Sequence, residues 1–117
     1  MKLVALVALS AALLVPSALA ATPLVGTVGP GFTITLTQGG KKVTKLKAGT
    51  YTIKVADKSN LHNFRIKGPG VNKFTSVPKK GTATWTVTLK KGTYTVVCDP
   101  HAALGMRAKL EVEGKKS

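Results

Sequence analysis

Three residues near the C-terminus bring chemistry onto one short loop. The segment Cys98-Asp99-Pro100-His101-Ala102-Ala103-Leu104-Gly105-Met106 holds the only Cys of the chain, one of its two His residues, and its only Met outside position 1. A thiolate, an imidazole and a thioether within nine positions are soft donors that suit copper. Completed by a second imidazole, they form the donor set of a one-electron copper site with a weak axial Met. The second imidazole must be His62, in Leu61-His62-Asn63-Phe64, because no other His exists. The donor set is therefore His62, Cys98, His101 and Met106, with no His or Cys to spare.

The spacing has a physical reason. Cys98 should end a strand, and the loop must then fold back to bring His101 and Met106 to one point. Two residues between Cys and His make a tight turn that Pro100 stiffens. Four more, including Gly105, carry the thioether round to an axial position. A rigid loop holds the donors in one geometry whatever the charge on the ion.

Residues 1–20 read as a processing signal. Lys2 gives a basic start, residues 3–15 are an apolar run, and Ala18-Leu19-Ala20 has the small-x-small form of a cleavage site. The run is too short for an ordinary membrane span. Residues 21–117 are then the mature chain, enough for one small domain with a single core. No membrane span is expected in it, and the product should be an exported monomer: periplasmic, at the cell surface or extracellular. Export makes the cysteine count informative. A lone Cys cannot form an internal disulfide, the usual fate of cysteines in small exported domains.

The elements that must position the donors follow a period of two. Ahead of them, residues 21–31 are rich in Gly and Pro and include a short first strand at Leu24–Val28. Phe32, Ile34 and Leu36 alternate with threonines, as do Tyr51, Ile53 and Val55 with Thr52 and Lys54. Ala83, Trp85, Val87 and Leu89 alternate with Thr82 to Thr88, and Ala108, Leu110 and Val112 with Arg107, Lys109 and Glu111. Such alternation predicts half-buried antiparallel strands. Gly- and Pro-containing turns punctuate them, and no amphipathic helix of useful length appears. The fold class is all-β: a Greek-key β-sandwich of about eight strands. Strand parity aims the donors inward. His62 shares the parity of Phe64 and Ile66, Cys98 that of Tyr94 and Val96, and Met106 that of Ala108, Leu110 and Val112. His101, in a loop, should lie nearer the surface. The repeated Leu-x-x-Gly-x-Tyr segments predict that Tyr51 and Tyr94 each bond back to the backbone a few residues upstream.

With these residues in place, the chain resembles the cupredoxins, type I blue copper proteins of the plastocyanin and pseudoazurin type. Tyr94-Thr95-Val96-Val97-Cys98-Asp99-Pro100-His101-Ala102-Ala103-Leu104-Gly105-Met106 is similar to that family's C-terminal ligand loop, and Leu61-His62-Asn63-Phe64 to its upstream ligand site. The similarity spans residues 24–113. It implies copper at one end of an eight-stranded Greek-key sandwich. It also implies that the Asn63 N–H bonds the Cys98 sulfur, while the Asn63 side chain ties the two ligand loops. Two departures stand out. Val97 occupies a place where the family often has an aromatic residue, and Asp99 puts a carboxylate beside Cys98, read as a solvated loop residue.

Charge bears on partners. With Lys2 removed, 17 basic residues face 4 acidic ones, a formal +13. This favours a redox partner with an acidic surface. Nucleic acid is not expected: the chain is exported, carries no nucleic-acid-binding motif and has few aromatic residues. The function so read is exported single-copper electron transfer, with the electron passing at His101 and Ala102, Ala103 and Leu104 framing a docking patch. The alternative is a copper carrier or scavenger without a redox partner. No catalytic constellation is present, so an enzyme is not expected.

Overall fold

In a computed structural model of the protein, residues 22–114 are described; the processing signal and the Lys115-Lys116 pair lie outside them. The strands are β1 (Leu24–Val28), β2 (Ile34–Gln38), β3 (Lys41–Lys42), β4 (Lys45–Lys47), β5 (Gly49–Asp57), β6 (Arg65–Gly68), β7 (Val71–Phe74), β8 (Gly81–Leu89), β9 (Gly92–Val97) and β10 (Arg107–Glu113). Eight have four residues or more; β3 and β4 are short additions at sheet edges. One sheet runs β3-β2-β1-β5-β8 and the other β4-β10-β9-β6-β7. The chain passes between sheets repeatedly, as in Greek-key sandwiches.

The expected first strand has the bounds read from the sequence. The expectation of purely antiparallel pairing does not hold. β1 runs parallel to β5, with Leu24 opposite Ile53, and β10 parallel to β4, with Val112 opposite Leu46. Alternation fixes which side chains face the core and leaves strand direction open. The Lys41-Lys42 pair forms a two-residue strand at the edge of its sheet.

Alternating side chains of both sheets meet in one core. Leu24, Val28, Leu36, Ile53, Val55 and Leu89 come from one sheet, and Ile66, Tyr94, Val96, Leu110 and Val112 from the other. Both Tyr residues bond as expected. Tyr51 Oη donates to the Lys47 carbonyl at 2.6 Å. Tyr94 Oη lies 2.9 Å from the Lys90 carbonyl and accepts from the Lys90 N–H at 2.8 Å. Each bond pins the crossing connection that precedes its strand.

Register fixes what the end of the sandwich presents. Val28 is opposite Asp57, which is opposite Gly81; Arg65 is opposite Val97, which is opposite Arg107. The connections at residues 29–33, 58–64, 75–80 and 98–106 therefore emerge together at one end.

Candidate metal centre

Cys98 lies one residue beyond β9 and is fully buried. The chain then enters a 3-10 helix, Asp99–Leu104, with Pro100 in its first turn and Gly105 at φ 96° closing it. The sequence reading had a tight turn here; the turn extends into this helix. Backbone bonds hold the loop, among them the Arg107 N–H to the Gly105 carbonyl at 2.8 Å. The Cys98 N–H donates to the Met106 carbonyl at 3.1 Å, and the His101 N–H to the Cys98 carbonyl at 3.1 Å. The Gly105 N–H donates to Ala102 at 3.1 Å and the Met106 N–H to His101 at 3.3 Å. Met106 is thus tied at both backbone groups and is buried. His62 lies in the connection before β6 rather than inside a strand, and is 1% exposed. His101 is half-buried.

Three donor atoms converge. His62 Nδ1 and His101 Nδ1 are 3.0 Å apart, and Cys98 Sγ is 3.6 Å from the first and 3.5 Å from the second. A triangle with these edges has a point about 2 Å from every corner, the length of metal–imidazole bonds and slightly under the ~2.3 Å of metal–thiolate bonds. His62, buried, and His101, half-buried, present the same ring nitrogen to one buried thiol. Two imidazoles and a thiolate aimed at one point are a donor set that suits a soft cation. The residues present fit copper.

A polar network behind the donors joins the two ligand segments. The Asn63 side chain donates from Nδ2 to Asp99 Oδ2 at 2.8 Å, and Asn63 Oδ1 accepts the Asp99 N–H at 2.7 Å. The side-chain tie between loops is therefore made twice. Among the described residues, the groups within hydrogen-bonding reach of the sulfur are the two imidazoles. Thr75 braces the same segment: its Oγ1 accepts the Phe64 N–H at 2.9 Å and donates to the buried Asp57 at 3.1 Å.

Asp99 is not merely a solvated loop residue. Arg65 grips its carboxylate through Nε, at 2.9 Å to Oδ1, and Nη2, at 3.0 Å to Oδ2. Nη1 of the same guanidinium donates to Asn72 Oδ1 at 2.6 Å, and its Cζ lies 4.1 Å from the centroid of the Phe74 ring. The Arg65 hydrogen bond holds the Asp99 carboxyl below its ordinary pKa; partial burial opposes it, and the Asn63 amide adds to the lowering. A carboxylate kept charged beside the Cys98 loop thus clamps β6 to the end of β9.

Phe32 departs from its expected place. Period-two reading turned it inward with Ile34 and Leu36. β2 begins only at Ile34, and Phe32 is 60% exposed on the preceding connection. Its ring packs against both His62 and His101. Sequence reading missed this residue as part of the centre. The signal that could have found it is an aromatic directly after Gly-Pro-Gly, where alternation carries no authority.

Comparison with known proteins bears on these residues. Residues 32–113 match the family described as copper binding proteins, plastocyanin/azurin family. Comparison with the curated proteins gave no match. Among solved structures, reduced rusticyanin is similar at 30% identity over 77% of this chain and 77% of that one, with a TM-score of 0.54. Dithionite-reduced auracyanin from the photosynthetic bacterium Roseiflexus castenholzii shares the fold at 23% identity over 80% and 98%, TM-score 0.56. A Cu(I) amicyanin with a methionine-to-glutamine substitution shares it at 21% over 79% and 83%, TM-score 0.50. The family match covers both ligand segments and nearly all the described strands. The chain belongs to the plastocyanin/azurin family of copper-binding proteins, a cupredoxin, and its buried thiol facing two imidazoles suits one copper ion.

Proposed function

We propose that the chain is an exported electron carrier in which His62, Cys98, His101 and Met106 hold the copper. The observation that carries this reading is the convergence of His62 Nδ1, Cys98 Sγ and His101 Nδ1 at one end of the sandwich, all within 4.8 Å of one another. Copper bound there supplies a one-electron Cu(II)/Cu(I) couple, to which thiolate, thioether and imidazole donors are suited.

The chain's own residues do the rest. Asn63 and Asp99 lock the two ligand segments together, so the donors keep their places as charge changes. Burial of Cys98, His62 and Met106 excludes water, and His101 alone among the four is partly open. Its edge is the electron port. Ala102 is half-buried, Ala103 exposed, and Leu104 73% exposed beside it. A small apolar surface of this kind suits brief, weak encounters. Lys58 and Arg107, both exposed on segments flanking the donors, add the positive field that an acidic partner would meet. Among the described residues no helix is long and apolar enough to cross a membrane.

Visible and EPR spectra of the copper-loaded protein test the reading, followed by the electron self-exchange rate. Fast self-exchange with metal retained supports the carrier of electrons. Slow exchange with ready surrender of copper to an acceptor would favour the copper-handling alternative.

Two variants sharpen it. Met106→Gln should keep copper bound and shift the reduction potential, because a weak thioether donor would tune a site of this kind. Voltammetry that shows no shift would remove Met106 from the donor set. Leu104→Arg should slow electron transfer to an anionic redox protein without altering the copper spectrum. It adds positive charge, so a slower rate must come from the lost apolar contact. The wild-type association rate should fall at least about tenfold as the screening length drops from about 30 Å at 0.01 M salt to about 8 Å at 0.15 M. Stopped-flow rates indifferent to both salt and Leu104→Arg would place the port elsewhere.

A further inference from the structure

The Phe32 ring is more than half exposed, so burial of apolar surface does not account for its place. It meets His62 edge to face at 5.1 Å between centroids and 75°, and His101 at 4.7 Å and 70°. The imidazoles stand at 4.8 Å and 78° to each other. Three rings are thus mutually close to perpendicular, the arrangement their quadrupoles favour.

The segment carrying Phe32 is itself fixed. The Gly29 N–H donates to the Thr33 carbonyl at 2.9 Å, and the Lys58 N–H to the Val28 carbonyl at 2.9 Å. Gly29 lies so close to the upstream ligand that a Cβ there would stand 3.2 Å from His62 Cδ2 and 3.0 Å from Ser59 Cβ. No larger residue fits without moving the His62 connection.

The two imidazoles differ in what else holds them. His62 is enclosed, whereas His101 rides on a surface 3-10 helix that buries none of its residues fully. The polar contacts of the His101 ring are with the other donors, His62 Nδ1 and Cys98 Sγ. Outside the donor set, the aromatic ring packed on it is Phe32.

We propose that Phe32 is a positioning residue: it holds the His101 imidazole in its ligating orientation against His62 in the metal-free protein, and screens that ring from water and competing ligands in the loaded one. This rests on the reading of His62 and His101 as ligands. A ring that cannot swing outward denies a chelator access to the donors, so the effect should be kinetic more than spectral.

The test compares Phe32→Ala and Phe32→Tyr with the wild type. In the metal-free proteins, NMR should show a strong cross-relaxation between the His62 and His101 ring protons in the wild type and Phe32→Tyr. In Phe32→Ala that signal should be lost, with the His101 ring shifts moving toward those of free imidazole. In the reduced, copper-loaded proteins, extraction by excess bathocuproine disulfonate should be about tenfold faster for Phe32→Ala and within about twofold of wild type for Phe32→Tyr. Tenfold corresponds to about 1.4 kcal/mol, within the range of an edge-to-face aromatic contact. An unmoved His101 ring with an unchanged extraction rate in Phe32→Ala overturns the proposal. So does a Phe32→Tyr protein as perturbed as Phe32→Ala, since the ring would then not be the cause. Failure of the wild type to bind copper through these imidazoles would sink the ligand reading instead, and the metal-free spectra would still decide whether Phe32 holds His101.

Discussion

Cys98→Ser should abolish the intense visible band of the Cu(II) protein while leaving the fold in place. The band expected of the wild type is a charge transfer from a thiolate to Cu(II), so it depends on sulfur specifically. A serine hydroxyl at the same position stays protonated at neutral pH and offers no such transition. The structure says why the fold should survive. Cys98 is fully buried, but its backbone bonds to Met106 and His101 do not involve the sulfur. The Ser hydroxyl is slightly smaller, and the two imidazole nitrogens, 3.5 and 3.6 Å from the sulfur, become its hydrogen-bond partners once the half-buried His101 ring closes in by a few tenths of an ångström, to about 3 Å. A buried hydroxyl with partners is tolerated, whereas one without them costs about 1–3 kcal/mol. The measurement is a copper titration followed by visible absorption, with circular dichroism of the metal-free variant as the control for folding. A wild type that takes up one Cu(II) without colour, or a serine variant that keeps the band, would sink the thiolate reading.

What could be read from the sequence here was what the chain makes local. Cys98, His101 and Met106 fall within nine positions, so no knowledge of the fold is needed to bring them together. The Tyr51 and Tyr94 bonds close within four residues, to Lys47 and Lys90, and are set by their own Leu-x-x-Gly-x-Tyr segments. His62 was found as the one other His of the chain and aimed inward by parity counted back from Ile66; it is buried, but it lies before β6, where Asn63 of the opposite parity is buried as well.

The parts that could not be read depend on register between strands distant in sequence. Arg65 points out of the core, as alternation says. Its partner Asp99 is 34 residues away, and they meet because Arg65 stands opposite Val97 in the β6–β9 pair. Nothing in either segment specifies that offset. Phe32 failed for the opposite reason: a local rule was carried past its range. The alternation of Ile34 and Leu36 was extended backward across the start of β2, into a connection set by Gly29, Pro30 and Gly31. The result was an inward core residue where the fold puts an exposed ring on two imidazoles. Strand direction failed likewise, since β1 would show the same alternation beside β5 in either orientation.

The largest expected loss of stability is at Phe64, directly after His62 and Asn63. Its side chain is fully buried, 6.2 Å from the Trp85 ring between centroids, and lies over Gly26 of β1 so closely that a Cβ there would come within 2.6 Å of its Cε2. Phe64→Ala should cost about 3–5 kcal/mol, the usual range for truncating a core Phe. For a domain of this size that lowers the thermal midpoint by at least about 12 °C. The copper spectrum should nevertheless persist. The bonds that brace the ligand segment at this residue are backbone ones, Phe64 N–H to Thr75 Oγ1 at 2.9 Å and Thr75 N–H to the Phe64 carbonyl at 3.0 Å, and alanine keeps both. The contact itself is tested by a double-mutant cycle with Gly26→Ala. In the wild type that methyl group collides with the Phe64 ring and should cost about 1–3 kcal/mol. In the Phe64→Ala background it enters the vacated space, so the same change should be nearly neutral or stabilising. Any effect of losing glycine on the unfolded chain appears in both backgrounds and cancels. Denaturant melts of the four metal-free proteins measure the cycle. Additivity within about 0.5 kcal/mol would mean that β1 and Phe64 do not touch as described, and the packing beneath the ligand segment would have to be redrawn.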